Sequence, residues 1–391
     1  MTVHIYVDPP YKESLWCKQT LKGINDEATK KRYAVKMLES ENIYKADLDA
    51  FFDGEERRIL IILATSVNQS KKFNDFFNEH GVHLLYINHQ AEQSSYRFSN
   101  ILVDYYDSMK MITEYLEGCG RKLVALYGIN PDSATDLIKK SFFEDRARHG
   151  NKYGNGENIF YRLAEDMPSA SLDCFERFRD CIEYYDAVIC ANDLVARLLI
   201  DDLQKIGVKV PEDLYVVSFG DYILTQLGKP TITAVAIDHE QLGRQSVYTY
   251  SYLRKASSDV YVTAKVSSRI SIGESTAASE YKKNKITVSE YAVQESTTNF
   301  FKHPEIKPII TFENMLTHCD KLDMQILIGI MNNMTYIQLS EKLFVSENVI
   351  SYRVKRLCKL SELPSKSMLV QSARRFLSAD AVERYIQKKL S

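Results

Sequence analysis

The chain of 391 residues carries 50 Lys/Arg against 52 Asp/Glu, with 45% hydrophobic and 26% charged residues. Its length is too great for one hydrophobic core, so two or three domains are expected, and its near-neutral charge excludes a polycation that would hold nucleic acid by overall charge alone. The seven cysteines stand in no CxxC or Cys/His metal spacing. That pattern argues against a disulfide-stapled scaffold or a metal module and for reduced thiols in a cytoplasmic protein.

The N-terminus, MTVHIYVDPP, has no basic region leading into a long apolar run, so no signal peptide is expected. No stretch approaches roughly 20 uninterrupted apolar residues, so no membrane span is expected either. VHIYV (3–7) reads as a strand ended by Asp8-Pro9-Pro10, and 11–31 carry a helical pattern through Leu15, Leu21 and Ile24. YAVKML (33–38) is a second strand, a short helix follows near 46–52, and RILIILAT (58–65) is a third strand. A helix over 68–81 stops at Gly81 before the strand VHLLYIN (82–88). This alternation marks βαβ units and a parallel sheet buried on both faces.

The pattern then repeats. A helix over 107–118 precedes KLVALYG (122–128), a helix over 133–148 precedes NIFYRLA (158–164), and a helix over 171–183 precedes DAVICAND (186–193). A helix over 194–206 ends at Gly207, LYVVSFGD (214–221) and TITAVAID (231–238) are strands, and a helix from His239 to Leu253 closes the region. Two halves of doubly wound α/β structure imply two similar lobes with a cleft between them.

Within this region DAVICANDLVARLLIDDLQKIGVKVPEDLYVVSFGDY (186–222) resembles the effector-binding core of the LacI/GalR family, with its A-N-D strand end, G-x-x-V-P-x-D and G-(F/Y)-D-D elements. PTITAVAIDHEQLGRQSV (230–247), SRISIGESTA (268–277) and GCGRKLVALYG (118–128) extend the likeness over about 3–277. The resemblance implies a periplasmic-binding-protein-like fold: two Rossmann-like lobes, a hinge of crossing strands, and a ligand cleft at the strand C-termini. It implies a small-molecule effector met by Asp8, Tyr11, Asn130, Asn192 and Asp221, and pairing of cores into a homodimer.

This sequence departs from that pattern in three places. It starts directly in the first core strand, so the DNA reader is expected at the other end. The first Asp of G-(F/Y)-D-D corresponds to Gly220, and the Arg that grips sugars has no clear counterpart, the nearest position being Ile138 beside Lys139 and Lys140. A hexose ligand is therefore in doubt, because sugar recognition relies on charged side chains paired with adjacent hydroxyls. Asn192 and Asp193 also admit a plainer role, since either residue at a strand end caps the next helix.

Residues 279–320 read as a link: EYKKNK is charged, ITVSEYAVQES alternates like a strand, and KHPEIKP reads as a joint. TFENMLTHCDKLDMQILIGIM (311–331) reads as one helix into a C-terminal module over 321–391, which holds 12 Lys/Arg against 6 Asp/Glu. Its centre, TYIQLSEKLFVSENVISYRVKRLCKL (335–360), reads as a helix-turn-helix with Ser346 capping the second helix. Val349, Ile350, Val354 and Leu357 form that helix's apolar face. A solvated surface helix with scattered lysines would show the same charge. Residues 322–376, with LFVSENV at the turn, resemble the LuxR-type DNA-binding domain; Ser340 and Ser351 depart from its usual residues. The expected partner is double-stranded DNA, met by Thr335, Asn348, Ser351, Tyr352, Lys355 and Arg356.

No GxSxG, GxxxxGK(S/T) or HExxH occurs, and GNKYGNGEN (150–158) lacks the GxGxxG order. Nothing assembles a nucleophile, base and oxyanion site, so neither an enzyme nor a cofactor is expected. Two readings stand: a transcriptional regulator with a LacI-like sensor and a LuxR-like reader, or a ligand-binding or dimerisation protein whose C-terminal helices mediate assembly.

Overall fold

The computed structural model describes residues 1–39, 43–89, 97–148, 158–162, 170–277 and 305–389. The glycine-rich stretch at 150–157 and the link over 279–304 lie outside the described residues.

The first lobe contains β1 (Thr2–Val7), α1 (Leu15–Lys30), β2 (Ala34–Met37), α2 (Leu48–Phe52), β3 (Arg58–Leu63), α3 (Val67–Glu79), β4 (Val82–Ile87) and β5 (Ser99–Val103). The second contains α4 (Tyr105–Gly118), β6 (Val124–Ile129), α5 (Ala134–Arg148), β7 (Ile159–Tyr161), α6 (Ala170–Arg179), β8 (Ala187–Cys190), α7 (Asp193–Lys205), β9 (Tyr215–Gly220), α8 (Ile223–Leu227) and β10 (Thr233–Ala236). The chain returns through α9 (His239–Leu253) and β11 (Thr263–Val266) to the first lobe and ends in β12 (Arg269–Ser271) on the second. The sheet orders are β11-β5-β4-β3-β1-β2 and β12-β10-β9-β8-β6-β7. Every described pairing is parallel except β10 with β12.

Helices cover both sheet faces, so inner strands such as β3 and β8 carry continuous apolar runs rather than alternating. Ile59 to Leu63 are all fully buried. Three crossings join the lobes, at β5–α4, β10–α9 and β11–β12, the last through Ser267 and Ser268 alone. This is the expected hinge. On one side the lobes bond directly. Val67 N–H donates to Asp132 O (2.9 Å), Ala134 N–H to Thr65 O (2.9 Å), and the Asp132 carboxylate accepts from Ser66 Oγ (2.7 Å) and Asn68 N–H (2.9 Å).

The C-terminal part is all helical: α10 (Ile306–Thr317), α11 (Lys321–Met331), α12 (Tyr336–Leu343), α13 (Glu347–Leu360), α14 (Lys366–Phe376) and α15 (Ala379–Lys389). Two expectations need correction here. The segment read as one helix into the module is two, because His318 and Cys319 end α10 and Asp320 opens α11 with a capping box through Asp323. Nor are 306–317 a loose joint. Ile306, Ile309, Phe312, Met315 and Leu316 are buried in one hydrophobic cluster with Leu199, Leu203, Leu224 and Leu227 of the second lobe and Ile350, Val354 and Leu357 of α13. The second lobe and the helical module therefore share a core.

Candidate functional site

The cleft opens where strand C-termini of the two lobes face each other. The first lobe supplies Tyr11, Ser14, Trp16, Thr65 and Asn88; the second supplies Asn130, Asp136, Lys139, Arg162, Asn192, Phe219 and Tyr222, with Tyr105 and His239 at two of the crossings. The cavity is about 110 Å³. A cavity of roughly 150 Å³ holds benzene, so this one takes a small molecule at most.

Its polar groups are tightly arranged. The Lys139 ammonium, 3% exposed, donates to Asp136 Oδ1 (2.8 Å) and to Ala191 O (2.8 Å), and lies over the rings of Phe219 and Tyr105. The second Asp136 oxygen accepts from Asn130 N–H (3.1 Å). This buried cation is thus already matched by a carboxylate. Asn88, at φ +60°, donates to the Tyr105 hydroxyl (2.7 Å). His239 is held neutral, its pKa lowered by burial to about 3, and its buried Nδ1 has no protein partner. A buried neutral ring nitrogen without a partner costs free energy, which a ligand hydroxyl or amide would recover.

Tyr11, Asn130 and Asn192 of the residues expected from sequence stand on the cleft wall; Asp8 and Asp221 do not. Asp8 is buried away from the cleft lining, and its carboxylate adds to the burial that raises the pKa values of Tyr6 and Tyr44. Asp221, at φ +69°, lies close enough to Glu313 and Tyr385 of the helical module for its charge to add to the burial that raises both. The capping role falls to Asn192, whose Oδ1 accepts from Val195 N–H (3.0 Å). Asp193 instead accepts from Ser218 Oγ and from Tyr222 N–H (2.9 Å). Gly220 has a cause as well: at φ +146°, a Cβ there would lie 2.5 Å from the Asp193 carboxylate. Sequence reasoning missed Lys139, Arg162 and His239 as cleft residues. The one available signal was Lys139 on the helix where the resembled family carries its cation.

In the helical module Ser346 caps α13, accepting from Val349 N–H, after a turn of Phe344, Val345 and Ser346. Asn348, Tyr352, Lys355 and Lys359 form one exposed row on α13, with Ser351 half-buried on its flank. Arg356 does not join the row. Its guanidinium donates to Asp323 Oδ2 (2.8 Å) and His318 O (3.0 Å), and Arg353 reaches Asp323 and Asp320. The expectation that Arg356 meets phosphate is therefore corrected, because a fully buried Asp323 holds it against α11. Thr335 caps α12 in a capping box with Gln338.

Comparison with known proteins places this geometry. Residues 113–276 match the model of the periplasmic binding protein-like domain. The chain is 25% identical over 232 residues to the NTD biosynthesis operon regulator NtdR of Bacillus subtilis, covering 59% of this chain and 68% of that one. It is 21% identical over 235 residues to catabolite control protein A of Staphylococcus epidermidis, covering 60% and 69%. Among solved structures, a putative LacI transcriptional regulator from Bacillus cereus superposes with a TM-score of 0.61 at 16% identity over 70% of this chain and 98% of that one. The CelR–cellobiose complex superposes with a TM-score of 0.59 at 16% identity, over 70% and 84%. Among the described residues no helix is long and apolar enough to cross a membrane. The two lobes share the periplasmic-binding-protein-like fold of LacI-type transcriptional regulators.

Proposed function

We propose that the protein is a ligand-responsive transcription regulator whose cleft takes a small effector and whose α13 enters the major groove of duplex DNA in LuxR-like fashion. The observation that carries the DNA half is the exposed row of Asn348, Tyr352, Lys355 and Lys359, set about one turn apart on a helix after a three-residue turn. Tyr352 and Ser351 suit base edges and Lys355 suits phosphate. The Thr335 oxygen accepts within the capping box, which leaves its hydroxyl hydrogen for a backbone phosphate at the start of α12.

The regulator reading is supported by the relatives' names, an operon regulator and a catabolite control protein. Effector chemistry follows from the cleft. Asn130, Asn192 and His239 offer neutral hydrogen bonds between aromatic walls, and Lys139 is already paired. A small, uncharged polar molecule fits that set. A homodimer through the two-lobed core accompanies this reading, since a lone helix-turn-helix holds one half-site weakly.

The second reading, assembly through the C-terminal helices, is favoured by one feature: Ile337 and Phe344 on α12 and its turn stand 57% and 93% exposed. One titration separates the two readings. Lys355→Ala is expected to weaken binding to every duplex alike and lower the salt slope by about one. Tyr352→Ala is expected to cost about 1–3 kcal/mol on the preferred site only. Binding of full-length protein and both variants to specific and scrambled duplexes across salt concentrations reads this out; unchanged binding in both variants discards the DNA-reading role of α13.

A further inference from the structure

The short helix α8 lies between the cleft and the helical module and is bonded to both. On the cleft side, Tyr222 lines the cavity and its backbone N–H is fixed by Asp193, which follows the cleft residue Asn192 directly. On the module side, Glu313 of α10 accepts the next two N–H groups, Ile223 (2.8 Å) and Leu224 (2.6 Å). At the other end of α8, Leu227 O accepts from Ser378 N–H (2.6 Å) at the α14–α15 junction. A Cβ on Gly228 would lie 3.4 Å from Phe376 O. The remaining space among Asp193, Tyr222, Thr225, Ile309 and Glu313 is about 10 Å³, room for a single water at most.

Glu313 is 1% exposed, and its two carboxylate oxygens are taken up by backbone donors of α8. A displacement of α8 relative to α10 would strand a buried carboxyl together with the half-buried Ile223 and buried Leu224 N–H groups, so the two helices are held to move as one body. Two further described bonds across this interface are peripheral: Arg375 to Asp201 (3.1 Å) and Arg384 to Glu274 (3.2 Å), both arginines exposed. Exposed pairs of this kind hold little.

We propose that α8 is the relay by which the state of the cleft sets the docking of the helical module: a shift of Tyr222 moves α8, and α8 carries α10 and the α14–α15 junction with it through Glu313 and Leu227. The relay rests on the regulatory reading above only for what triggers it; the mechanical coupling is a property of the chain alone. Coupling between two sites runs equally in both directions, and this gives the test without knowledge of the effector.

Hydrogen exchange of the full-length protein by mass spectrometry is followed for Glu313→Ala, Asp193→Asn and Arg384→Ala. Glu313→Ala is expected to speed exchange at least about fivefold, the effect of one lost cap, in peptides over Asn192–Val195 as well as in α8. Asp193→Asn is expected to speed it in the reverse direction, over Ile309–Phe312 and Ser378–Val382. Arg384→Ala, which cuts an exposed docking contact but leaves the bonds of α8 to Glu313 and Ser378 in place, should leave the cleft peptides unchanged. If Glu313→Ala does not fold, Glu313→Gln, which keeps one acceptor oxygen, is expected to give the same pattern at smaller amplitude. Acceleration confined to Ile223–Leu224, or an equal spread from Arg384→Ala, overturns the relay. None of these readouts involves DNA, so failure of α13 to bind duplexes would leave the outcome intact.

Discussion

Neighbouring residues of one type take opposite duties in this chain, and burial decides which. Lys355 and Arg356 are adjacent cations on α13, yet Lys355 faces solvent and Arg356 is tied to the fully buried Asp323. Removing Arg356 leaves that carboxylate with Arg353 and the Asp320 N–H of the capping box. Arg356→Ala is therefore expected to destabilise the module by about 1 kcal/mol, the scale of one charge-assisted hydrogen bond on a partly exposed donor. Lys355→Ala should leave the melting temperature unchanged. A pair of thermal melts checks this contrast, and equal melting of the two variants would return Arg356 to the candidate phosphate contacts. Asn192 and Asp193 show the same division: one caps α7 and the other clamps β9 to α8. No spacing rule distinguishes them, because both stand at the same strand end and only the neighbouring Ser218 and Tyr222 decide. Gly220 was legible as a departure but not as a necessity. Its requirement comes from a carboxylate 27 positions earlier in the chain.

Elements buried on two faces announce themselves in sequence, and elements defined by their neighbours do not. The runs in β3 and β8 were readable because their apolar stretches are continuous. The strand β5 (SNILV) begins with two polar residues, β11 (TAKV) is a partly exposed edge, and α8 is five residues long; none carries a period of its own. The helix α10 was folded into the link because its prolines precede or open it, and only its partners in the second lobe give its apolar face a purpose. Two predictions sit at this scale. The helices α1 and α9 cross backbone to backbone, where a Cβ on Gly243 would lie 2.1 Å from Thr20 O. Gly243→Ala must then push the helices apart, and a loss of about 1–3 kcal/mol is expected in chemical denaturation. The second concerns Glu313, which burial raises from 4.5 to about 7. Asp193, Asp221, Tyr222 and Tyr385 surround it, and Arg197 is turned to Asp201. A carboxyl with a raised folded pKa holds a proton that the unfolded chain has released. Its contribution to stability is therefore full below about 4.5 and lost as pH rises through about 7. Melting of the wild type minus that of Glu313→Gln is expected to fall from pH 5 to pH 8, and a flat difference would mean that Glu313 titrates normally.

At the scale of the molecule, the two-lobed plan with a cleft was legible in the alternation of β and α, and its place at the strand C-termini in the LacI-like resemblance. The membership of the cleft was not. It is assembled from loops as far apart as Tyr11 and His239, and Lys139, Arg162 and His239 become neighbours only once both sheets are folded and apposed. What holds the lobes together on one side is equally long-range: Asp132 of the second lobe receives Ser66 and Asn68 of the first, and two backbone bonds flank it. In the proposed sensor, opening of the cleft would break these four described bonds, and a ligand that prefers the closed form would draw on that equilibrium. Asp132→Ala removes two of the four bonds while leaving every cleft-lining side chain in place, since Asp132 is not among the lining residues. The variant should fold with unchanged helix content but populate the open form more. Faster amide exchange is then expected at Val67, Asn68 and Ala134, with a larger radius of gyration in solution scattering. Any effector should bind more weakly by the fraction of closed molecules lost, with no change in which effector is chosen. Unchanged exchange at those amides would show that the hinge strands alone set the lobe arrangement and that the Asp132 contact is incidental to it.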